Sequence, residues 1–296
     1  FGCPVYTDYQ EMLATEELDL VIIVTRSSQH CEMTCDCLAA GVNVLVTKPW
    51  AVDAAEAGRM VEAAKTSKGT LLPWLPVRWA SDYVRLGELL VEEVIGNVFL
   101  IRRCCTSFGM RNDWQMETEF GGGYILNWGP HIVDPAVLLG GADVQTVYSQ
   151  TRKAINPGDA EDLFMAMITL GNGTLLQTEF SVCVSHLPNW FIQGDKGTII
   201  VHGNELTIHR HIPMLPDDPT KYASMRDTED TVTTEKLGGN IYGDTHEIYR
   251  DIAAGLLGKA PYPVKPEDAY ELSVTLQAVR DSARSGAVVH PDYDRP

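Results

Sequence analysis

Apolar positions along the chain follow two rhythms, and the change falls near Gly96. Before it, the unbroken aliphatic runs Leu20 to Val24 and Val42 to Val46 have the pattern of strands covered on both faces in a parallel sheet. Between them, His30 to Ala40 carries Met33, Cys37, Leu38 and Ala40 as apolar or small positions of a helix. Gly41 follows, where a helix C-terminus favours positive φ. A short helix, Tyr9 to Leu13, precedes this unit behind a cap at Thr7 or Asp8. After it, Asp53 to Ser67 predicts a helix with Ala57, Met60, Val61 and Ala64 on its buried face. Thr70 to Val77 reads as an edge or irregular strand because it holds two prolines, and Ser81 to Glu93 as a further helix.

Past Gly96 the pattern alternates. Val98 to Cys105 opens a series of strands that continues with Val144 to Thr151, Leu163 to Leu170, Thr174 to Val184, Trp190 to Gln193, Thr198 to His202 and Glu205 to His211. Gly171-Asn172-Gly173 and Gly203-Asn204 supply hairpin turns, so the sheet is expected to be large and mostly antiparallel. A polar, aromatic loop from Phe108 to Phe120, then Gly121 to Gly123, leads into a helical segment around Asn127 and His131. Pro213 to Asn240 reads as a long polar loop. Thr245 to Leu257 and Glu267 to Ser285 are closing helices, able to cover a sheet face or return to the first domain. The expected fold class is α/β, a parallel-sheet domain over residues 1–96 joined to an α+β domain over 97–296.

Charge narrows the partners. With 23 basic against 40 acidic residues the net charge is −17, which excludes nucleic acid and anionic membrane as natural partners and leaves a small neutral ligand. No apolar run reaches membrane-spanning length. Seven cysteines, an odd number scattered along the chain, do not make a secreted disulfide framework and fit a reducing cytoplasm. No metal is expected. Cys31 and Cys35 are helical neighbours but Cys37 faces away, while His209 and His211 share a strand face without a third ligand.

Lys48 is the first candidate for chemistry, because Thr47-Lys48-Pro49-Trp50 sits at the carboxyl end of a strand, where open α/β sheets bind ligands. Asn127 and His131 are the second, since a spacing of four places them on one helix face, an imidazole beside a side chain that can orient it. The residues alone also allow a plainer reading, with Asn127 an N-cap, Pro130 in the first turn and His131 a core histidine. Arg78 is open between a ligand contact and a salt bridge.

Thr25, His30, Ala40-Gly41 and Thr47-Lys48-Pro49 resemble the nucleotide-domain core of the glucose-fructose oxidoreductase and inositol dehydrogenase (Gfo/Idh/MocA) family. Gly121-Gly122-Gly123, Asn127, His131 and Asp134 resemble its G-G-G-x-L-x-D-x-G-x-H-x-x-D segment. Three departures stand out: Thr47 replaces the usual glutamate, Arg26 stands where proline is common, and Asn127 replaces aspartate. The resemblance implies a Rossmann-like first domain, NAD or NADP as cofactor, and hydride transfer between the nicotinamide and a hydroxyl-bearing carbon of a sugar, glycoside or cyclitol. It implies cofactor contacts at Thr25, Arg26, His30, Thr47, Lys48, Pro49 and Arg78. His131 would then take the hydroxyl proton, Lys48 would hold the same oxygen, and Asn127 would position the hydroxyl or the ring. Trp114, Tyr124 and Trp128 become candidates for stacking on a sugar face, with core packing the alternative for Trp128.

The family also implies a first βαβ portion, on the order of 60 residues, ahead of Phe1. Its phosphate-binding G-x-G-x-x-G turn is not found after a strand here, since Gly238 to Gly243 fits the letters but follows a polar loop. Either the sequence begins inside the domain or the chain is a degenerate member unable to hold a dinucleotide. Two other functions stay open beside the dehydrogenase: a non-catalytic sugar-sensing or partner-binding protein, and a glycosidase-like enzyme using transient oxidation. A homo-oligomer, dimer or tetramer through an open sheet face, is expected from the likeness.

Overall fold

In the computed structural model, residues 2–185, 187–215, 218–224 and 229–293 are described. After helix α1 (Tyr9–Thr15), strands β1 (Leu20–Ile23), β2 (Asn43–Val46) and β3 (Leu71–Pro73) form a parallel sheet in the order β1-β2-β3, joined by α2 (His30–Ala39) and α3 (Ala54–Thr66). Asp53 caps α3 by accepting the Glu56 N–H at 2.8 Å. The stretch from Thr70 to Val77 is a strand only as far as Pro73. Pro76 then opens a single 3-10 turn, Pro76–Trp79, because proline fits the first helical position and donates nothing to a ladder.

After α4 (Ser81–Val91) come β4 (Val98–Thr106), α5 (Tyr124–Gly140), β5 (Val144–Arg152), β6 (Leu163–Leu170), β7 (Leu175–Ser181), β8 (Trp190–Gly194), β9 (Gly197–His202), β10 (Glu205–His211) and β11 (Glu229–Lys236). These eight strands form one sheet in the order β11-β10-β9-β8-β4-β7-β6-β5, antiparallel throughout except where β4 pairs with β7 in parallel. The stretch read as a loop from Pro213 to Asn240 therefore contains a strand, while its residues 216–217 and 225–228 lie outside the described residues. Helices α6 (Thr245–Leu256) and α7 (Pro266–Ser285) close the chain.

Apolar burial explains how these layers meet. Val44 and Val46 of β2 pack with Cys37 and Leu38 of α2, Met60 and Val61 of α3, and Tyr270 and Val274 of α7. On the opposite face Leu45 and Leu72 meet Ile248 and Ile252 of α6, so β2 is covered on both sides, as its unbroken run requires. Ile125, Ile132, Val133 and Ala136 of α5 pack against Ile101, Phe164, Ile168 and Leu176 of the large sheet. Each such side chain contributes roughly 1.5–3 kcal/mol on burial. Helix α7 also ties itself to β5, where Ser149 N–H donates to Ser282 Oγ at 2.9 Å. The last helix thus holds both sheets, and α5 delivers its first turn to the carboxyl ends of β1 and β2.

Candidate active site

The turns after β1 and β2 are locked together from behind. His30 is buried, with Nδ1 2.8 Å from the Pro49 carbonyl and Nε2 3.3 Å from the Thr25 carbonyl. Burial pulls its pKa down against those backbone acceptors, so the neutral ring donates its one proton, best placed on Nδ1 toward the closer Pro49 oxygen. Both ring nitrogens of His30 face main-chain carbonyls and the residue is only 1% exposed, so its ring ties the two turns together. Thr47 Oγ1 donates to the Ile23 carbonyl at 2.9 Å, which leaves Thr25, Thr47 and Lys48 side by side at the strand ends.

A loop from the second part folds over these turns. The Arg26 guanidinium lies 4.1 Å above the Phe120 ring, a cation–π contact that fastens the loop to the β1 turn. Gly121 has φ 71°, and a Cβ there would come within 2.6 Å of Val52 and 2.8 Å of Ser27, so only glycine allows this approach. Gly123, with φ 104°, starts α5, whose Ile125 N–H donates to the Glu161 carboxylate at 2.9 Å. Asn127 is therefore within the first turn of α5 and is not its N-cap.

Lys48 meets that turn directly. Its Nζ donates to the Asn127 carbonyl at 2.9 Å and also contacts Asn127 Oδ1. Asn127 Nδ2 donates in turn to Gln115 Oε1 at 2.6 Å, and Arg111 Nη1 donates to the same oxygen at 2.7 Å. Burial, and secondarily the charge of Arg111, lower the Lys48 pKa to about 8. A cavity of about 140 Å³ opens here, lined by Thr25, Thr47, Lys48, Trp114, Gly121 and Asn127 among others. Gln115 and Arg111 were not singled out from the sequence; their only signal is the polar run that precedes the triple glycine.

His131 sits one turn further along α5, 8% exposed. Its ring stands edge-on to Trp128 at 5.6 Å and to Tyr242 at 6.3 Å between centroids. Burial first, then the charges of Lys48 and Arg103, push its pKa down to about 3. Tyr242, from the segment between β11 and α6, is a neighbour that sequence reasoning missed; flanking glycines are its only sequence mark. Trp128 stacks on Phe180 at 4.9 Å and Tyr124 on the same ring at 4.4 Å. Tyr124 is 5% exposed and packs in the core, whereas Trp114 lines the cavity beside Lys48.

Arg78 is held by two carboxylates. Its Nε and Nη2 donate to the two Asp134 oxygens at 3.0 and 2.8 Å and its Nη1 to Asp268 Oδ2 at 2.8 Å. It staples the turn after β3 to α5 and α7 and lines a different cavity from Lys48, which is the geometry of the salt-bridge alternative.

A strand-end lysine of a parallel sheet thus meets a helix that packs on a second, mixed sheet, and comparison with known proteins assigns this architecture to a class of oxidoreductases. The chain belongs to the Gfo/Idh/MocA oxidoreductase family: residues 1–73 match its NAD-binding Rossmann fold and residues 88–290 its C-terminal alpha/beta domain. It is similar to the D-xylose 1-dehydrogenase (NADP(+)) of Hypocrea jecorina, 35% identical over 329 residues that cover 99% of this chain and 79% of the relative. It is also similar to the scyllo-inositol 2-dehydrogenase (NADP(+)) IolW of Bacillus subtilis, 23% identical with 94% and 80% covered. Among solved structures, an NAD-binding protein from Listeria innocua superposes with TM-score 0.85 at 24% identity, covering 98% of this chain and 86% of that one. The cofactor is accordingly a nicotinamide dinucleotide, NAD or NADP. The lining residues fit its nicotinamide end, since Thr25, Thr47 and Lys48 are among them and no carboxylate is.

Proposed function

We propose that the protein is an NAD(P)-dependent dehydrogenase that moves a hydride between the nicotinamide and a hydroxyl-bearing carbon of a sugar, glycoside or cyclitol. The observation that carries this reading is the half-buried Lys48 ammonium, held by Asn127 from the helix on the other sheet, with a pKa near the working range. The substrate class is supported by the names of the xylose and inositol dehydrogenases. Thr25, Thr47 and Pro49 would hold the nicotinamide end, and the dinucleotide when bound supplies the hydride acceptor.

The balance of roles differs from the sequence expectation. His131, with its pKa near 3, is neutral at physiological pH and a weak proton acceptor, while Lys48, near 8, is matched to taking and returning a proton. Lys48 in its amine form accepts the hydroxyl proton and, as ammonium, stabilises the alkoxide in the reverse direction. Asn127 fixes Lys48, and neutral His131 offers a ring nitrogen that orients the carbinol. Trp114 and Trp128 supply flat apolar surface for the carbohydrate.

We place the division between a nucleotide-binding part, 1–96, and a substrate and oligomerisation part, 97–296, at the Gly96 turn. Phe99, Tyr148, Met165, Met167 and Leu175 are exposed on the large-sheet domain, which supports a homo-oligomer formed through that sheet. All seven cysteines are free, which supports a cytoplasmic setting. Among the described residues no helix is long and apolar enough to cross a membrane. The deciding experiment mixes the complete protein with NAD or NADP and a panel of sugars, glycosides and cyclitols and follows nicotinamide absorbance. Net reduction with at least one of them is expected, and its absence across the panel under tight sugar binding would leave a sensor instead.

A further inference from the structure

Asn127 stands between a hydrogen-bond donor, the Lys48 ammonium, and an acceptor, Gln115 Oε1, and its amide can satisfy both in only one orientation. Gln115 Oε1 accepts from Arg111 Nη1 at 2.7 Å and from Asn127 Nδ2 at 2.6 Å, which uses both of its lone pairs. Asn127 must then turn its Oδ1 toward Lys48; the flipped amide would set an NH₂ against an ammonium. Gln115 is itself fixed, because its carbonyl accepts the Gly123 N–H at 2.9 Å at the start of α5. Arg111 is anchored by its own N–H, which donates to Asn156 Oδ1 at 2.6 Å, and by Asp113, whose Oδ2 lies 3.1 Å from its Nε.

We propose that Arg111 and Gln115 are positioning residues of the reaction: their relay through Asn127 orients the acceptor for Lys48, and the Arg111 charge, tempered by Asp113, sets how readily Lys48 releases its proton. This rests on the reading of Lys48 as the proton-transferring group. The physical cause is burial first and the Arg111 charge second, with no counter-charge close by to offset them. No carboxylate lies within 4.0 Å of the Lys48 ammonium among the described residues, and the ionisable groups acting around it are Arg111 from the loop and the neutral His131 from α5. A buried ammonium that faces dipoles and a like charge instead of an anion gives up its proton easily.

The test measures Lys48 independently of turnover. In the complete protein, the rate of Lys48 acetylation by acetic anhydride, read by mass spectrometry across pH, reports its neutral fraction. Arg111→Met should raise the midpoint by about one unit, roughly a tenfold loss of labelling at neutral pH, whereas Asp113→Asn should lower it. Arg111→Lys should restore most of the wild-type midpoint. Gln115→Leu should lower kcat with the KM for dinucleotide unchanged, whereas Gln115→Glu, which keeps an acceptor for both donors but neutralises Arg111, should hold Asn127 in place and raise the Lys48 midpoint. Unchanged midpoints in Arg111→Met and Asp113→Asn would overturn the proposal while leaving Lys48 in the mechanism. Midpoints that move while the pH profile of kcat/KM stays put would overturn it together with the role of Lys48.

Discussion

The Lys48 ammonium donates to the main-chain carbonyl of Asn127 across 2.9 Å, although the two residues are 79 positions apart and belong to elements of different sheets. The bond joins the turn after β2 to the first turn of α5, so the site exists only when both parts of the chain are assembled. Lys48→Ala should lower kcat by about 10²–10⁴-fold, the usual worth of a positioned proton-transfer group, and leave the circular dichroism spectrum unchanged. Turnover within a factor of two of wild type would remove Lys48 from the mechanism.

The pH profile should carry a single limb from Lys48. Its folded pKa is lowered to about 8, so in the direction of alcohol oxidation the required amine form is lost as pH falls, and kcat/KM should drop about tenfold per unit below 8. For carbonyl reduction the ammonium is required and the sign inverts, with activity falling above about 8. His131, held near 3, should contribute no limb between pH 5 and 9. A dominant limb near 6.5 would return the proton to the imidazole.

Much of this architecture was legible because burial writes itself into periodicity. The unbroken run of β2 announced a strand covered on both faces, and the alternating runs from Val98 to His211 announced one large sheet. Lys48, Asn127 and His131 were visible through motif and spacing. Gln115 and Arg111 were not, because a loop side chain finds its partner through tertiary contact that no local pattern encodes. The same reason hid the partners of Arg78, while the stacking of Tyr124 on Phe180 depends on which face of α5 meets β7. Strand β11 escaped because Glu229–Lys236, EDTVTTEK, has charged and threonine residues where alternation would show apolar ones.

Arg78 should prove structural. Its side chain is 13% exposed and that of Asp134 6%, so Arg78→Met strands a buried carboxylate and should cost roughly 3–5 kcal/mol. At about 2–4 °C per kcal/mol for a chain of this order, Tm should fall by on the order of 10 °C. NADH affinity of the folded fraction, measured by fluorescence titration below the transition, should stay within a factor of three. A tenfold loss of affinity with Tm unchanged would restore Arg78 as a cofactor contact.

Tyr242 covers His131, and the state of the imidazole should depend on that cover. The phenol ring stands 6.3 Å from the imidazole and 6.0 Å from Trp128, and the segment that carries it turns at Gly243, whose φ is 84°. A Cβ at Gly243 would lie 2.1 Å from the Pro76 carbonyl, so the backbone seats the tyrosine firmly over α5. Burial is the largest cause of the depressed His131 pKa, ahead of the charges of Lys48 and Arg103. Tyr242→Ala should admit water to the ring, weaken that first cause and move the pKa up from about 3 toward the ordinary histidine range, with the two cations keeping it below 6.5. The imidazole Cε1–H resonance of His131, assigned by comparison with His131→Gln, should be flat from pH 5 to 8 in the wild type and titrate at the acid end of that range in Tyr242→Ala. A resonance equally flat in the variant would mean that the two cations, and not the aromatic cover, hold the ring neutral.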